Sequence, residues 1–182
     1  MDRRHFVQLM GAAPALLLGA KAEAAPFAFN EIYSLKCLGA VNGPRFLDGR
    51  TANGSVALVP DLVKPFSGTK WQLLRAGGDQ VAFKCRGNVE GTRWLDGNTI
   101  AGKVGLAPHT REPFSGTRWQ IIEVSGGVNL KCMGKIEGPR WLDGNTGAGT
   151  VALAPNTQPP FTGTLWELKR YPVCFDSPCP LP

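Results

Sequence analysis

From residue 29 onward the chain is a succession of short runs in which apolar and polar residues alternate. Tyr33, Leu35 and Cys37 alternate with Ser34 and Lys36, and the pattern returns at Val81, Phe83, Cys85 and at Val128, Leu130, Cys132. A period of two marks a strand with one face on a core. The residues named should face inward, with Lys36, Lys84 and Lys131 outward. Further runs place Leu47, Leu95 and Leu142, and the pairs Val56/Leu58, Val104/Leu106 and Val151/Leu153, on the same core. Glycine, proline, aspartate and asparagine interrupt the runs at every boundary, which is the chemistry of turns.

The runs are repeated in register. Leu35-Lys36-Cys37 returns as Phe83-Lys84-Cys85 and Leu130-Lys131-Cys132. Phe46-Leu47-Asp48-Gly49 returns as Trp94-Leu95-Asp96-Gly97 and Trp141-Leu142-Asp143-Gly144. Pro65-Phe66-Ser67-Gly68-Thr69 returns at Pro113 and Pro160, each time followed one residue on by a tryptophan, Trp71, Trp119 or Trp166. The spacings are 48 and then 47 positions for every motif. Internal recurrence on this scale means repeated supersecondary units. In the second unit four strands are predicted, over 81–86, 93–96, 103–107 and 118–124. Four strands taken three times predict an all-β fold of the β-trefoil class, a six-stranded barrel capped by a triplet of hairpins. The strand-four tryptophans are expected in or near the core.

The run Gly-x-Arg-Trp-Leu-Asp, then Asn-Thr, then Gly-x-Val-x-Leu-x-Pro and a later tryptophan, resembles the repeat of ricin-B-like (R-type) lectins. The aromatic-Leu pair is also similar to that of fascin-like trefoils. The resemblance covers most of residues 29–170. The repeats end in Gly-Thr-x-Trp rather than Gln-x-Trp, and none contains two cysteines. It implies sugar ligation by Asp48, Asp96 and Asp143.

The N-terminus adds a leader. Arg3 and Arg4 precede a small apolar stretch, and Ala22-Glu23-Ala24 offers a cleavage site. Arg3-Arg4-His5-Phe6-Val7-Gln8-Leu9 resembles a twin-arginine signal, with an ordinary secretory signal as the alternative. Residues 1–25 are therefore expected to direct export to the periplasm or medium. Repeats are expected at about 29–77, 78–125 and 126–170 within a domain at 27–170, and a tail at 171–182. The whole chain carries a net charge of +6. That suits solubility and attraction to acidic surfaces without marking a nucleic-acid groove. No apolar run is long enough for a membrane span beyond the leader.

Five cysteines in an exported chain cannot all pair internally. Cys174 and Cys179 are close enough in sequence to close a small disulfide loop in the tail. Cys37, Cys85 and Cys132 occupy equivalent positions and are expected to meet near the threefold axis. They read as buried apolar residues, or else as a three-thiolate metal site, which falls short of zinc's usual four ligands. No cofactor is called for.

Little points to catalysis. His5 and His109 are the chain's histidines, and the first belongs to the leader. Threefold placement sets the repeated aspartates too far apart for a glycosidase pair. Binding fits better. Trp94 and Asp96, Trp141 and Asp143, and Phe46 and Asp48 stand two apart and share the face opposite the core leucine. An aromatic plane stacks on a sugar and a carboxylate accepts from its hydroxyls. Asn98 and Asn145 can add donors, whereas Arg50 stands in the first repeat. The alternative reading of each Asp-Gly is a turn that uses the carboxylate locally. The sequence thus suggests a non-catalytic, monomeric, lectin-like protein whose partner is a glycan. The other classes are a protein-binding trefoil, such as a protease inhibitor acting through residues 61–64 or the 174–179 loop, and a structural envelope-associated domain.

Overall fold

A computed structural model describes residues 27–171. The leader and the Cys174–Cys179 loop lie outside the described residues. Twelve strands run in order: β1 (Ile32–Cys37), β2 (Phe46–Arg50), β3 (Ser55–Val59), β4 (Trp71–Gly77), β5 (Gln80–Cys85), β6 (Trp94–Asn98), β7 (Lys103–Ala107), β8 (Trp119–Val124), β9 (Gly127–Cys132), β10 (Trp141–Asn145), β11 (Thr150–Ala154) and β12 (Trp166–Arg170). Those predicted in the second repeat fall on β5 to β8 within two residues at each end. No helix among the described residues is long and apolar enough to cross a membrane.

All pairings are antiparallel and join the twelve strands into one sheet. The sheet closes on itself. Ten strands form a circuit in the order β1, β2, β3, β7, β11, β10, β9, β8, β5, β4 and back to β1. Two extra strands bridge it: β6 between β5 and β7, and β12 between β1 and β9.

This corrects the expected trefoil of ricin-B-like or fascin-like type, with a barrel under a separate cap of hairpins. The hairpins β2–β3, β6–β7 and β10–β11 are continuous with the rest of the sheet. The pairs Lys36↔Phe46, Lys84↔Trp94 and Lys131↔Trp141 carry their ladders into β1, β5 and β9. The all-β class holds.

The core follows the alternation. Leu35, Cys37, Phe83, Cys85, Leu130 and Cys132 are fully buried, as are Leu47, Leu95 and Leu142. Val56, Val104 and Val151 pack against this cluster from its edge.

Trp71, Trp119 and Trp166 are also completely buried. Each indole N–H donates to a leucine carbonyl: Trp71 to Leu47 at 2.9 Å, Trp119 to Leu95 at 3.0 Å and Trp166 to Leu142 at 2.9 Å. A buried indole needs such a partner. The preceding threonines fix the approach, with the Thr117 hydroxyl donating to the Phe114 carbonyl at 2.8 Å and Thr164 to Phe161 at 3.0 Å. The glycine before each threonine is required by contact. A Cβ at Gly116 would stand 2.0 Å from the Gly97 carbonyl oxygen, and one at Gly163 2.0 Å from that of Gly144. The Phe-Ser/Thr-Gly-Thr-x-Trp motif is therefore a device for seating an indole.

Candidate functional site

The outer surface is built from three seams where consecutive repeats meet. The Thr51 hydroxyl donates across a seam to the Val89 carbonyl at 2.6 Å, Thr99 to Ile136 at 2.7 Å and Thr146 to Val41 at 2.5 Å. An arginine organises each adjoining loop. Arg93 donates to the carbonyls of Cys85 (3.2 Å), Gly87 (2.9 Å) and Val89 (3.0 Å). Arg45 and Arg140 do the same at Cys37, Gly39, Val41 and at Cys132, Gly134, Ile136. These guanidinium groups are loop clamps and not free basic spots, a role their position before each aromatic did not reveal.

Trp94 and Trp141 are half-buried, on the outer face of β6 and β10, and Phe46 is placed likewise on β2. The backbone alternation sets Asp96 and Asp143 on the same face as their indoles, and Asp48 with Phe46. Asp48 is almost fully buried, at 6% exposure, while Asp96 and Asp143 are intermediate. In all three, Oδ1 is buried and has no hydrogen-bond partner. The oxygen faces the glycine of the indole-seating turn: a Cβ on Gly68 would lie 2.8 Å from Asp48 Oδ1, and one on Gly116 2.9 Å from Asp96 Oδ1.

Burial pushes all three carboxyls above the ordinary aspartate range. At Asp48 the Arg50 charge and the Gly68 amide oppose the shift, and at Asp143 the Gly163 amide does. Asp96 has burial alone.

Each indole has a cation beside it. Lys84 Nζ stands 5.3 Å from the Trp94 ring centroid, and Lys131 Nζ 5.5 Å from that of Trp141. Sequence reasoning set these lysines outward but did not pair them with the tryptophans, because the contact depends on cross-strand register.

The asparagines belong to turns. Asn98 Oδ1 accepts from the N–H groups of Ile100 (3.2 Å) and Ala101 (3.1 Å), and Asn145 Oδ1 from Ala148 (3.0 Å). Both are exposed, and their carbonyl oxygens are engaged locally.

The three cysteines do not meet near the axis. Each thiol lies in a different seam. Cys37 Sγ is 3.4 Å from the carbonyls of Gly144 and Gly163, Cys85 Sγ is 3.5 and 3.4 Å from those of Gly49 and Gly68, and Cys132 Sγ is 3.5 Å from those of Gly97 and Gly116. All three are free thiols. Among the described residues no cluster of three or more histidine, cysteine or acidic side chains has metal-binding geometry. Burial pushes the thiols up, Cys132 to about 11. His109 is half-buried edge-on to Phe114, ring centroids 5.0 Å apart, and not a freely solvated loop residue.

No family model matches the chain, and no curated protein matches it. Solved structures do. A GlcNAcα1-4Gal-releasing endo-β-galactosidase from Clostridium perfringens is similar with a TM-score of 0.60 at 14% identity, over 78% of this chain and 33% of that one. Cry35Ab1 is similar with a TM-score of 0.61 at 17% identity, over 85% of this chain and 39% of that one. The chain spans about a third of the length of the first and about two fifths of the second. At such identity the likeness is one of fold alone.

These findings correct the kinship suggested by the repeat motif. Neither of these two similar structures is an R-type lectin or a fascin-like trefoil. The sugar-ligand role carried onto Asp48, Asp96 and Asp143 by that resemblance goes with it. Any such role rests on the geometry of the aspartates themselves.

Proposed function

We propose that the protein is an exported, non-catalytic carbohydrate-binding domain with its principal sites at Trp94 and Trp141. The observation that carries this reading is the pairing of a half-buried outward indole with an aspartate two residues on, twice over. An indole in the core needs no such neighbour, as Trp71, Trp119 and Trp166 illustrate. An indole half open to water, beside a carboxylate that is itself only partly buried, offers a stacking plane and an acceptor together. The Phe46–Asp48 position is the weakest of the three, because Phe46 has a smaller ring and Asp48 is withdrawn from solvent. Asn98 and Asn145 support the turns and are secondary to binding. Two sites on one monomer give avidity toward a repeating polysaccharide.

The leader-like residues 1–25 support export. The likeness to part of an endo-β-galactosidase supports the reading only in showing that this fold occurs within a protein that acts on carbohydrate. A glycan array probed with the mature chain tests the proposal. Binding to at least one glycan class, weakened in Trp94→Ala and lost in Trp94→Ala/Trp141→Ala, is expected. Failure to bind any glycan overturns it.

A further inference from the structure

The three seams look alike in backbone but not in charge. The residue opposite the outward lysine is neutral in two seams and acidic in the third: Gln72 faces Lys84, Gln120 faces Lys131 and Glu167 faces Lys36. One step along the same outer surface the difference widens. The Arg86 N–H donates to the Lys70 carbonyl at 2.7 Å, the Met133 N–H to Arg118 at 2.8 Å and the Leu38 N–H to Leu165 at 2.8 Å. These bonds hold the pairs side by side.

The seam beside Trp94 thus presents the cations Lys84 and Arg86, next to Lys70, whose Nζ stands 5.8 Å from the Tyr171 ring centroid. Among the described residues none of them is within ion-pairing distance of a carboxylate. Lys70 and Arg86 are exposed. The seam beside Trp141 presents Lys131 and Arg118, and its Gln120 donates to the carboxylate of Asp79. The seam beside Phe46 has apolar Leu38 and Leu165, and Lys36 stands 3.9 Å from the Glu167 carboxylate.

We propose that the Trp94 seam selects an acidic sugar. The inference rests on the carbohydrate-binding reading and names the chemical class that site takes. A pyranose stacks on Trp94 with its hydroxyls toward Asp96 and its anionic substituent toward Lys84 and Arg86. Lys84 is already held over the indole, so the cation and the stacking plane are presented together. Charge-assisted hydrogen bonds to the anion add to stacking. The carboxylate of Asp96 on the same face repels a continuous phosphate backbone, which separates this surface from a nucleic-acid stripe. The sites are graded: strongest at Trp94, weaker at Trp141, and without anion preference at Phe46.

The test is calorimetric titration of the mature chain with oligogalacturonate, against neutral galactan of the same length and single-stranded DNA of the same charge. Oligogalacturonate is expected to bind, with affinity falling as salt rises. Lys84→Ala/Arg86→Ala should weaken it about tenfold. Trp94→Ala should abolish the calorimetric signal at that site, and Lys36→Ala should leave binding unchanged. Melting temperatures of the variants must match wild type, and Lys84→Gln/Arg86→Gln provides a second pair if the alanines do not fold. If galactan binds and oligogalacturonate does not, the acidic preference is overturned and the carbohydrate reading stands. If neither glycan binds, the acidic preference at Trp94 is overturned, and the carbohydrate reading falls with it only if the glycan array is also blank. DNA binding as tight as oligogalacturonate, or binding insensitive to Trp94→Ala, shows a general polyanion surface and overturns the inference.

Discussion

Lys84 and Trp94 are direct cross-strand partners, and the ammonium comes to 5.3 Å from the indole centroid. The same pairing recurs at Lys131 and Trp141. A cation over an exposed indole contributes about 0.5–1 kcal/mol, so the lysine is a mild competitor for the ring face. A ligand that stacks there must either displace the ammonium or bond to it.

That competition gives the first prediction. In Lys84→Ala the ring face is free, so a neutral glycan should bind as well as to wild type or better, while an acidic one binds less. Calorimetry with both glycans reads the divergence. Parallel losses for both would mean that Lys84 supports the indole rather than discriminating among ligands.

Arg93 holds three carbonyls with one planar fork. A lysine keeps the charge but not the geometry. Arg93→Lys should therefore destabilise the fold by about 1–3 kcal/mol in denaturant unfolding, through carbonyls left without donors. An unchanged midpoint would show that the 87–92 loop does not depend on the clamp.

Gly97 and Cys132 touch across a seam. A Cβ on Gly97 would sit 2.7 Å from Cys132 Sγ and 3.2 Å from Leu153 Cδ1. Gly97→Ala alone should be strongly destabilising. Cys132→Ala removes the nearest atom, so the double variant should be more stable than the sum of the two single changes predicts. A thermodynamic cycle by urea denaturation measures this coupling, and additive losses would contradict it.

Much of this was legible in the chain. The alternation around Leu35, Phe83 and Leu130 set the core face, because a strand's period of two leaves no other assignment. The buried indoles and the outward Trp–Asp pairs also followed from spacing. What escaped depends on register and on contacts between repeats. Lys84 reaches Trp94 only because β5 and β6 pair at that residue. The role of Arg45, Arg93 and Arg140 shows only once their loops wrap around them. The cysteines share a position in sequence, yet each packs on a different pair of glycines. The family likeness failed for a different reason: turn residues and core spacing shared by many all-β repeats can imitate a lineage.

Burial raises the Asp96 carboxyl above its unfolded value with no opposing cause. The native state then binds more protons than the unfolded state just above the ordinary aspartate range, so this group's contribution to stability is lost as pH rises through the native pKa and regained as pH falls. Asp96→Asn removes the titration. The stability gap between variant and wild type should thus be most favourable to Asp96→Asn near pH 7 and shrink on acidification, as read by melting at a series of pH values. A gap that does not change with pH would show that the carboxyl is not desolvated in the native state.

The central claim is that Trp94 and Trp141 bind sugar while Trp71, Trp119 and Trp166 hold the fold. Its most direct measurement is titration of the Trp94→Ala/Trp141→Ala variant with the glycan that binds wild type best, paired with its melting curve. The account predicts loss of binding with a melting temperature close to wild type. A variant that retains binding, or one that loses it only by melting early, would contradict the account.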